Sequence, residues 1–372
     1  MNDKFKKFLP TLLFVGTSLL ILLLDLNWYI TIPDEAVQDY VETVYIMPII
    51  LSIILIFPIY YTYQNQEKFK LPEKPPDLAF TRFVVYSTIF YIGIMIFRQL
   101  ILWKYTLPFE KIPIVYWLVF HILLVEKTTL DYYGLHHSTW KKDMKYILYY
   151  CLIMVITILP ALIGLILIFW EQIILVVPQL APPNIILFAS FPYQMLAVGL
   201  SEELIFRGYL YGNLRKFTMK HNRFNNKALV IFISCVIFGL FHVPWYFEFS
   251  PTTLIYLPPE NVMPLLSRVL STGIMGIFFC LLYEHTRSIL VTMTLHGLGN
   301  AGGAYLGSMF LYVDINSIDL NAVPLETYLV AGVILLIYFV IFAYLALKLP
   351  GWLGRKLKYE INLQKHLEQS LN

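Results

Sequence analysis

The sequence predicts an all-α protein, a polytopic bundle of about ten transmembrane helices with both termini cytoplasmic. Hydrophobic residues make up 58% of the 372 and charged residues 14%, with a mean hydropathy of +0.67. An ordinary soluble domain carries about 25% charged residues. Apolar stretches of roughly 17–25 residues, long enough to cross a bilayer, recur along the whole chain. The polar connections between them alternate between rich and poor in Lys and Arg.

The stretches lie near 8–25, 43–63, 83–103, 146–170, 184–212, 228–247, 264–283, 288–310 and 327–348, with a shorter one near 112–125. The first is too long for a signal-peptide core, and Asp25-Leu26-Asn27-Trp28 offers no small-residue cleavage site, so it reads as a signal anchor. Basic residues settle the short stretch. Counting it as a span puts Lys4, Lys6 and Lys7, then Lys68, Lys70, Lys74 and Arg82, then Lys127, Lys141, Lys142 and Lys145 on the inner side. Arg215, Lys216, Lys220, Arg223 and Lys227 follow there, then Arg287, and finally Arg355, Lys356, Lys358 and Lys365. Omitting it would place the later basic loops outside, against the positive-inside rule.

The net charge of +3 is therefore topological, and no nucleic-acid-binding motif accompanies it. Lys70-Leu71-Pro72-Glu73-Lys74-Pro75-Pro76 is an extended linker, and no soluble domain or internal repeat is visible. Cys151, Cys235 and Cys280 all fall in spans without disulfide or metal spacing, which reads as apolar packing. Residues 1–125 form an N-terminal group of spans, 145–347 the polar-cored part, and 348–372 a basic tail. Within that tail, Trp352 to Asn372 has the pattern of an amphipathic surface helix.

Ionised groups inside apolar spans cost about 2.5–3.5 kcal/mol each on insertion scales, so their clustering signals a site. Glu202, Glu203 and Arg207 occupy one span, His242 the next, and His296 with Asn300 a third. At ~1.5 Å per residue, Glu202 lies ~15 Å from the inner end of its span, His242 ~21 Å, His296 ~12 Å and Asn300 ~18 Å, all near one level. Glu203 and Arg207 are i,i+4 and can pair, as a structural ion pair or as part of a site. Glu202, rotated about 100° from Glu203, has no local partner. An unpaired, desolvated carboxylate has a raised pKa, which suits a general base. His242 can orient water or ligate a metal, and His296 and Asn300, on one face, can donate to a developing oxyanion. Gly299, Gly303 and Gly307, with Gly208 and Gly212, have the spacing of close helix packing. His121 reads as an interhelical residue, Arg98 and Arg268 as snorkelling cations at span ends, and His285 as a loop residue without a role.

These residues resemble the CPBP family, the CAAX-protease and bacteriocin-processing (Abi) intramembrane proteases. Its three ordered motifs, EExxxR, FxxxH and HxxxN, appear as Glu202-Glu203-Leu204-Ile205-Phe206-Arg207, Phe238-Gly239-Leu240-Phe241-His242 and His296-Gly297-Leu298-Gly299-Asn300. The resemblance covers roughly residues 145–347 and implies endopeptidase activity within the membrane. It implies that Glu202 activates water with His242, that His296 and Asn300 stabilise the oxyanion, and that Glu203 and Arg207 support the geometry. The same resemblance leaves two cofactor readings open: a metal-free mechanism, which is preferred, and a zinc ion held by Glu202, His242 and His296. The expected partners are membrane lipid and a membrane-associated peptide or protein, such as a CAAX-like, bacteriocin or pheromone precursor. Lys-, Asn-, Ile- and Tyr-rich usage points to a prokaryotic plasma membrane. A non-catalytic scaffold or immunity protein is the competing reading, and a transporter ranks last because no repeat is found.

Overall fold

The structure, a computed structural model, describes residues 115, 118–119, 122, 128–136, 139–170, 191–220, 226–250, 254–309 and 324–359. The expected spans near 8–25, 43–63 and 83–103, the linker, Arg98, His121 and the residues after 359 lie outside the described residues. From the short stretch 112–125, Val115, Leu118, Val119 and Ile122 are described and all are buried, the i, i+3, i+4, i+7 spacing of one helical face.

Helices make up nearly all of the described architecture. Helix α1 is Trp140–Ile168. Helix α2 covers residues 191–220 and changes pitch along its length: Gln194–Gly199 and Leu204–Tyr211 are π-helical, with the α-helical turn Leu200–Glu203 between them. Helix α3 is Lys227–Leu240, α4 Val262–Thr286, α5 Ile289–Met309 and α6 Leu325–Lys356. The departure from an all-α chain is a small antiparallel hairpin, β1 (Glu248–Ser250) with β2 (Leu254–Tyr256), in register Phe249 to Ile255.

Among the described residues, three stretches are long and apolar enough to cross a membrane: Trp140–Ile168, Pro259–Thr286 and Leu325–Lys356. Their outward side chains, such as Leu167 at 70% exposure and Phe339 at 68%, form a surface suited to lipid rather than water. Helix α3 differs. Asn226 caps its start, accepting from the Ala228 and Leu229 amides at 3.0 and 3.3 Å. It stops at Leu240, so the span expected over 228–247 does not run through His242. With 14 residues it is roughly 21 Å long, short of the ~30 Å hydrocarbon core. The cause is in the sequence: Pro244 lacks the amide hydrogen that would continue the α-helical ladder, and Val243–Tyr246 go on as a 3-10 helix instead.

Helix α4 stands between two apolar cores. Its Cys280 and Tyr283 belong to the core formed with α2 and α3, through Phe206, Leu204 and Phe238. Phe279 and Leu282, on the other side, pack with Tyr146 and Tyr150 of α1 and Leu349 of α6. The three cysteines are free thiols, with Cys235 and Cys280 buried. The final turns of α6 belong to this packing: Leu349 and Leu353 are buried, and Gly351 and Gly354 lie against His285. The boundary drawn at 348 therefore falls inside a helix, and His285, given no role from sequence, locks α4 to α6.

Buried polar networks tie the helix ends together. Asp143 of α1, fully buried, accepts hydrogen bonds from Thr139 and Ser288 at 2.9 Å and from Tyr359 at 2.6 Å. Burial, reinforced by the Asp143 carboxylate, pushes the Tyr359 phenol far above its usual range, so it remains a donor. Glu284 of α4 accepts from the Tyr211 hydroxyl at 2.7 Å and faces Lys227 at 3.4 Å and Arg215 at 3.7 Å. Between α4 and α5 the chain turns through Arg287 in the left-handed region (φ 50°). The Arg287 guanidinium offsets that strain by donating to the carbonyls of Asp131 and Tyr132 at 2.6 and 3.2 Å.

Close approach of α2 and α5 depends on two glycines. A Cβ on Gly297 would lie 2.8 Å from the backbone N and Cα of Met195, and one on Gly199 would lie 2.6 Å from the Met293 carbonyl oxygen. Gly299 and Gly303, expected to make this contact, have open space instead, whereas Gly208 does pack, against the Tyr133 carbonyl. Gly297→Ala should therefore destabilise the protein by about 1–3 kcal/mol, the usual cost of overpacking. Gly299→Ala, two residues away on the same helix, should leave the detergent melting temperature unchanged or raise it. Equal melting of the two variants would contradict this packing.

Candidate active site

The site forms where the α-helical turn of α2 meets α5, beneath the end of α3. Adjacent helical residues point about 100° apart, so Glu202 and Glu203 leave α2 in different directions. Both are buried, at 3% and 0% exposure. Arg207, 1% exposed, places Nη1 3.0 Å from Glu203 Oε1, the i,i+4 pair expected from spacing. Its guanidinium lies over the Phe238 ring at 4.2 Å and the Phe279 ring at 5.1 Å, so α3 and α4 both cover it with aromatic faces.

His296 of α5 is hydrogen-bonded to one carboxylate and faces the other. Its Nδ1 lies 2.8 Å from Glu203 Oε1, and its Nε2 lies 3.7 Å from Glu202 Oε2. A carboxylate accepts, so Nδ1 carries the hydrogen. In the neutral ring Nε2 then turns a lone pair toward Glu202 Oε2, at a separation beyond hydrogen-bond reach. Phe279 stacks on the His296 ring, with centroids 5.0 Å apart and planes 14° from parallel. The sequence left Glu202 without a partner; tertiary packing supplies His296.

His242 follows the last turn of α3, held by its own motif. Its Nδ1 donates to the Phe238 carbonyl at 3.0 Å, leaving Nε2 as the basic nitrogen. Phe238 stands edge-on to His242 at 5.2 Å and to His296 at 6.4 Å, so one ring joins both histidines to Arg207. The FxxxH spacing thus has a physical meaning: the carbonyl fixes the tautomer and the ring fills the centre. Asn300, one turn beyond His296 and half-buried, donates from Nδ2 to Gln194 Oε1 at 3.3 Å.

Of the six residues singled out from sequence, Glu202, Glu203, Arg207 and His296 meet directly, His242 is tied to them through the Phe238 ring, and Asn300 lies one turn beyond His296 against Gln194. Gln194 and Phe279 were missed. A lone amide in the apolar run before Glu202 was the available signal for Gln194; Phe279 carried none. Glu202, His242 and His296 are the residues that would hold the ion in the zinc reading. Among the described residues no three His, Cys, Asp or Glu side chains are grouped to hold a metal ion. One nitrogen of each histidine is hydrogen-bonded, to Glu203 or to Phe238, an arrangement also found around metal-ligating histidines.

A helical membrane protein with a buried carboxylate–histidine–arginine centre is thereby defined. Residues 184–302 match the family model described as type II CAAX prenyl endopeptidase Rce1-like, which supports the resemblance of the motifs to the CPBP family. All six residues fall within the matched segment. No curated protein and no solved structure matches the chain.

Glu203→Gln would leave the Arg207 guanidinium buried without its counter-ion. Removing one partner of a buried pair costs about 3–5 kcal/mol. The variant should melt well below wild type in detergent, and a Glu203→Gln, Arg207→Met double variant should recover much of the loss. An unmoved melting temperature in the single variant would deny the pair its structural role.

Proposed function

We propose that this protein is an intramembrane endopeptidase that hydrolyses a peptide bond of a membrane-associated peptide or protein, of CAAX-like, bacteriocin-precursor or pheromone-precursor type. The observation that supports the reading best is the buried pair of carboxylates, one hydrogen-bonded to His296 and the other facing it, inside the segment that matches the endopeptidase family model. In this reading the chain crosses a prokaryotic plasma membrane about ten times, with both termini cytoplasmic.

Hydrolysis needs a base for water, donors for the oxyanion and an acid for the leaving amine. Glu202 takes a proton from water as the water oxygen bonds to the carbonyl carbon. His242, with its lone pair at Nε2, accepts the second hydrogen of that water and orients it. The negative charge then develops on the carbonyl oxygen, toward the Asn300 amide. His296 can donate there only from Nε2 and only as the imidazolium, because Nδ1 is committed to Glu203. The C–N bond breaks as the proton held by Glu202 passes to the amine nitrogen. Glu203 and Arg207 take no proton in this sequence. Their part is to hold His296 in register and to balance charge where water is scarce.

The direct test is cleavage of a membrane-peptide library, prenylated and unmodified, by purified full-length protein in detergent. Wild type should cleave, with or without chelator. Glu202→Gln should retain its melting temperature and lose turnover by a factor of about 10² or more, the lower range for a positioned acid–base group. Undiminished turnover by that variant would remove Glu202 as the base. A well-folded wild type that cleaves nothing would favour a non-catalytic scaffold or immunity protein instead.

A further inference from the structure

Gln194 lies on the first π-helical stretch of α2, two turns before Glu202, and none of the three motifs includes it. Its Oε1 accepts the hydrogen bond from Asn300 Nδ2. Neighbouring contacts make that pairing a consequence of the helix register. Met195 is pressed against Gly297, where even a Cβ would come within 2.8 Å of its backbone, and its sulfur accepts from Thr294 Oγ1 at 3.5 Å. Gly199 lies as tightly against the Met293 carbonyl. With Met195 fixed at Gly297, Gln194 meets α5 at Asn300, nearly one turn further on. Gln194 opens the π-helical stretch, a geometry frequent at functional sites.

An amide–amide contact consumes one N–H of the donor and one lone pair of the acceptor. The second Nδ2 hydrogen of Asn300 has no partner among the described residues. An asparagine held at one N–H presents the other in a set direction, whereas an unheld one rotates or flips its carbonyl toward the incoming charge. We propose that Gln194 is a positioning residue: by accepting from Asn300 it aims the remaining amide hydrogen at the carbonyl oxygen of the bond being cleaved. The inference rests on the endopeptidase reading and deepens it. Preorganised donors act mainly in the transition state, so losing Gln194 should lower kcat and leave KM nearly unchanged.

The test compares wild type, Gln194→Met, Asn300→Ala and the double variant, as full-length protein, on a cleaved peptide. Methionine keeps the length of the side chain and removes the amide; Gln194→Ala is the second variant should methionine disturb the fold. Gln194→Met should lower kcat by about 10- to 100-fold, as expected for a misaimed group. KM should stay within about threefold, and the loss should vanish when Asn300 is already alanine. A merely structural role would lower the melting temperature and multiply with Asn300→Ala. Wild-type kcat in both Gln194 variants, or multiplying losses, would overturn this inference and leave the endopeptidase reading intact. Absence of cleavage by wild type would remove both.

Discussion

A guanidinium and a carboxylate, each almost fully buried and 3.0 Å apart, are the constraint on which the centre of this bundle depends. Charges removed from water cost several kcal/mol each even after relaxation, so neither tolerates the absence of the other. Their surroundings follow from that demand. Two aromatic faces cover Arg207, and the oxygen of Glu203 that meets Arg207 also accepts from His296. The ion pair is thereby connected to the ring that reaches Glu202. A helix-stabilising contact and a device for fixing a histidine are the same set of atoms.

The polar clusters around that centre divide the labour. Asp143 with Thr139, Ser288 and Tyr359 joins α1, the start of α5 and the end of α6. Glu284 with Tyr211, Arg215 and Lys227 joins α2, α3 and α4. Both clusters are assembled at helix ends, away from the carboxylate pair, and both satisfy a buried acid with several donors. In an apolar medium, where apolar side chains gain little by leaving lipid for one another, such satisfied polar contacts and tight glycine packing carry helix association. The substitution-sensitive glycines are accordingly at α2 and α5, whose contact sets the site.

Much of this was legible from residue spacing. Glu203 and Arg207 pair at i,i+4 as any helix would permit, and Phe238, His242, His296 and Asn300 stand where the ordered motifs placed them. Contacts between helices were not legible. Glu202 had no partner along its own helix, and only the docking of α5 supplies His296. Small-residue spacing proposed Gly299 and Gly303 as packing positions. It could not say which face of α5 meets α2, and the contact falls on Gly297. Glu284 was not singled out from the sequence, and its role follows only from the three helices that converge on it. The end of α3 was a different case: Pro244 carried the signal, and the apolar run through it concealed the break. The pitch changes in α2 left no pattern in composition.

The claim that Glu203 holds His296 through Nδ1 can be tested without substrate. The measurement is nitrogen NMR of the full-length protein labelled at its histidine side chains, with His296→Gln used to assign the resonance. The account predicts that His296 carries a proton on Nδ1, in a strong hydrogen bond that protects it from exchange with solvent. A His296 ring bare at Nδ1 and protonated only at Nε2 would contradict it, and with it the arrangement assigned to both carboxylates.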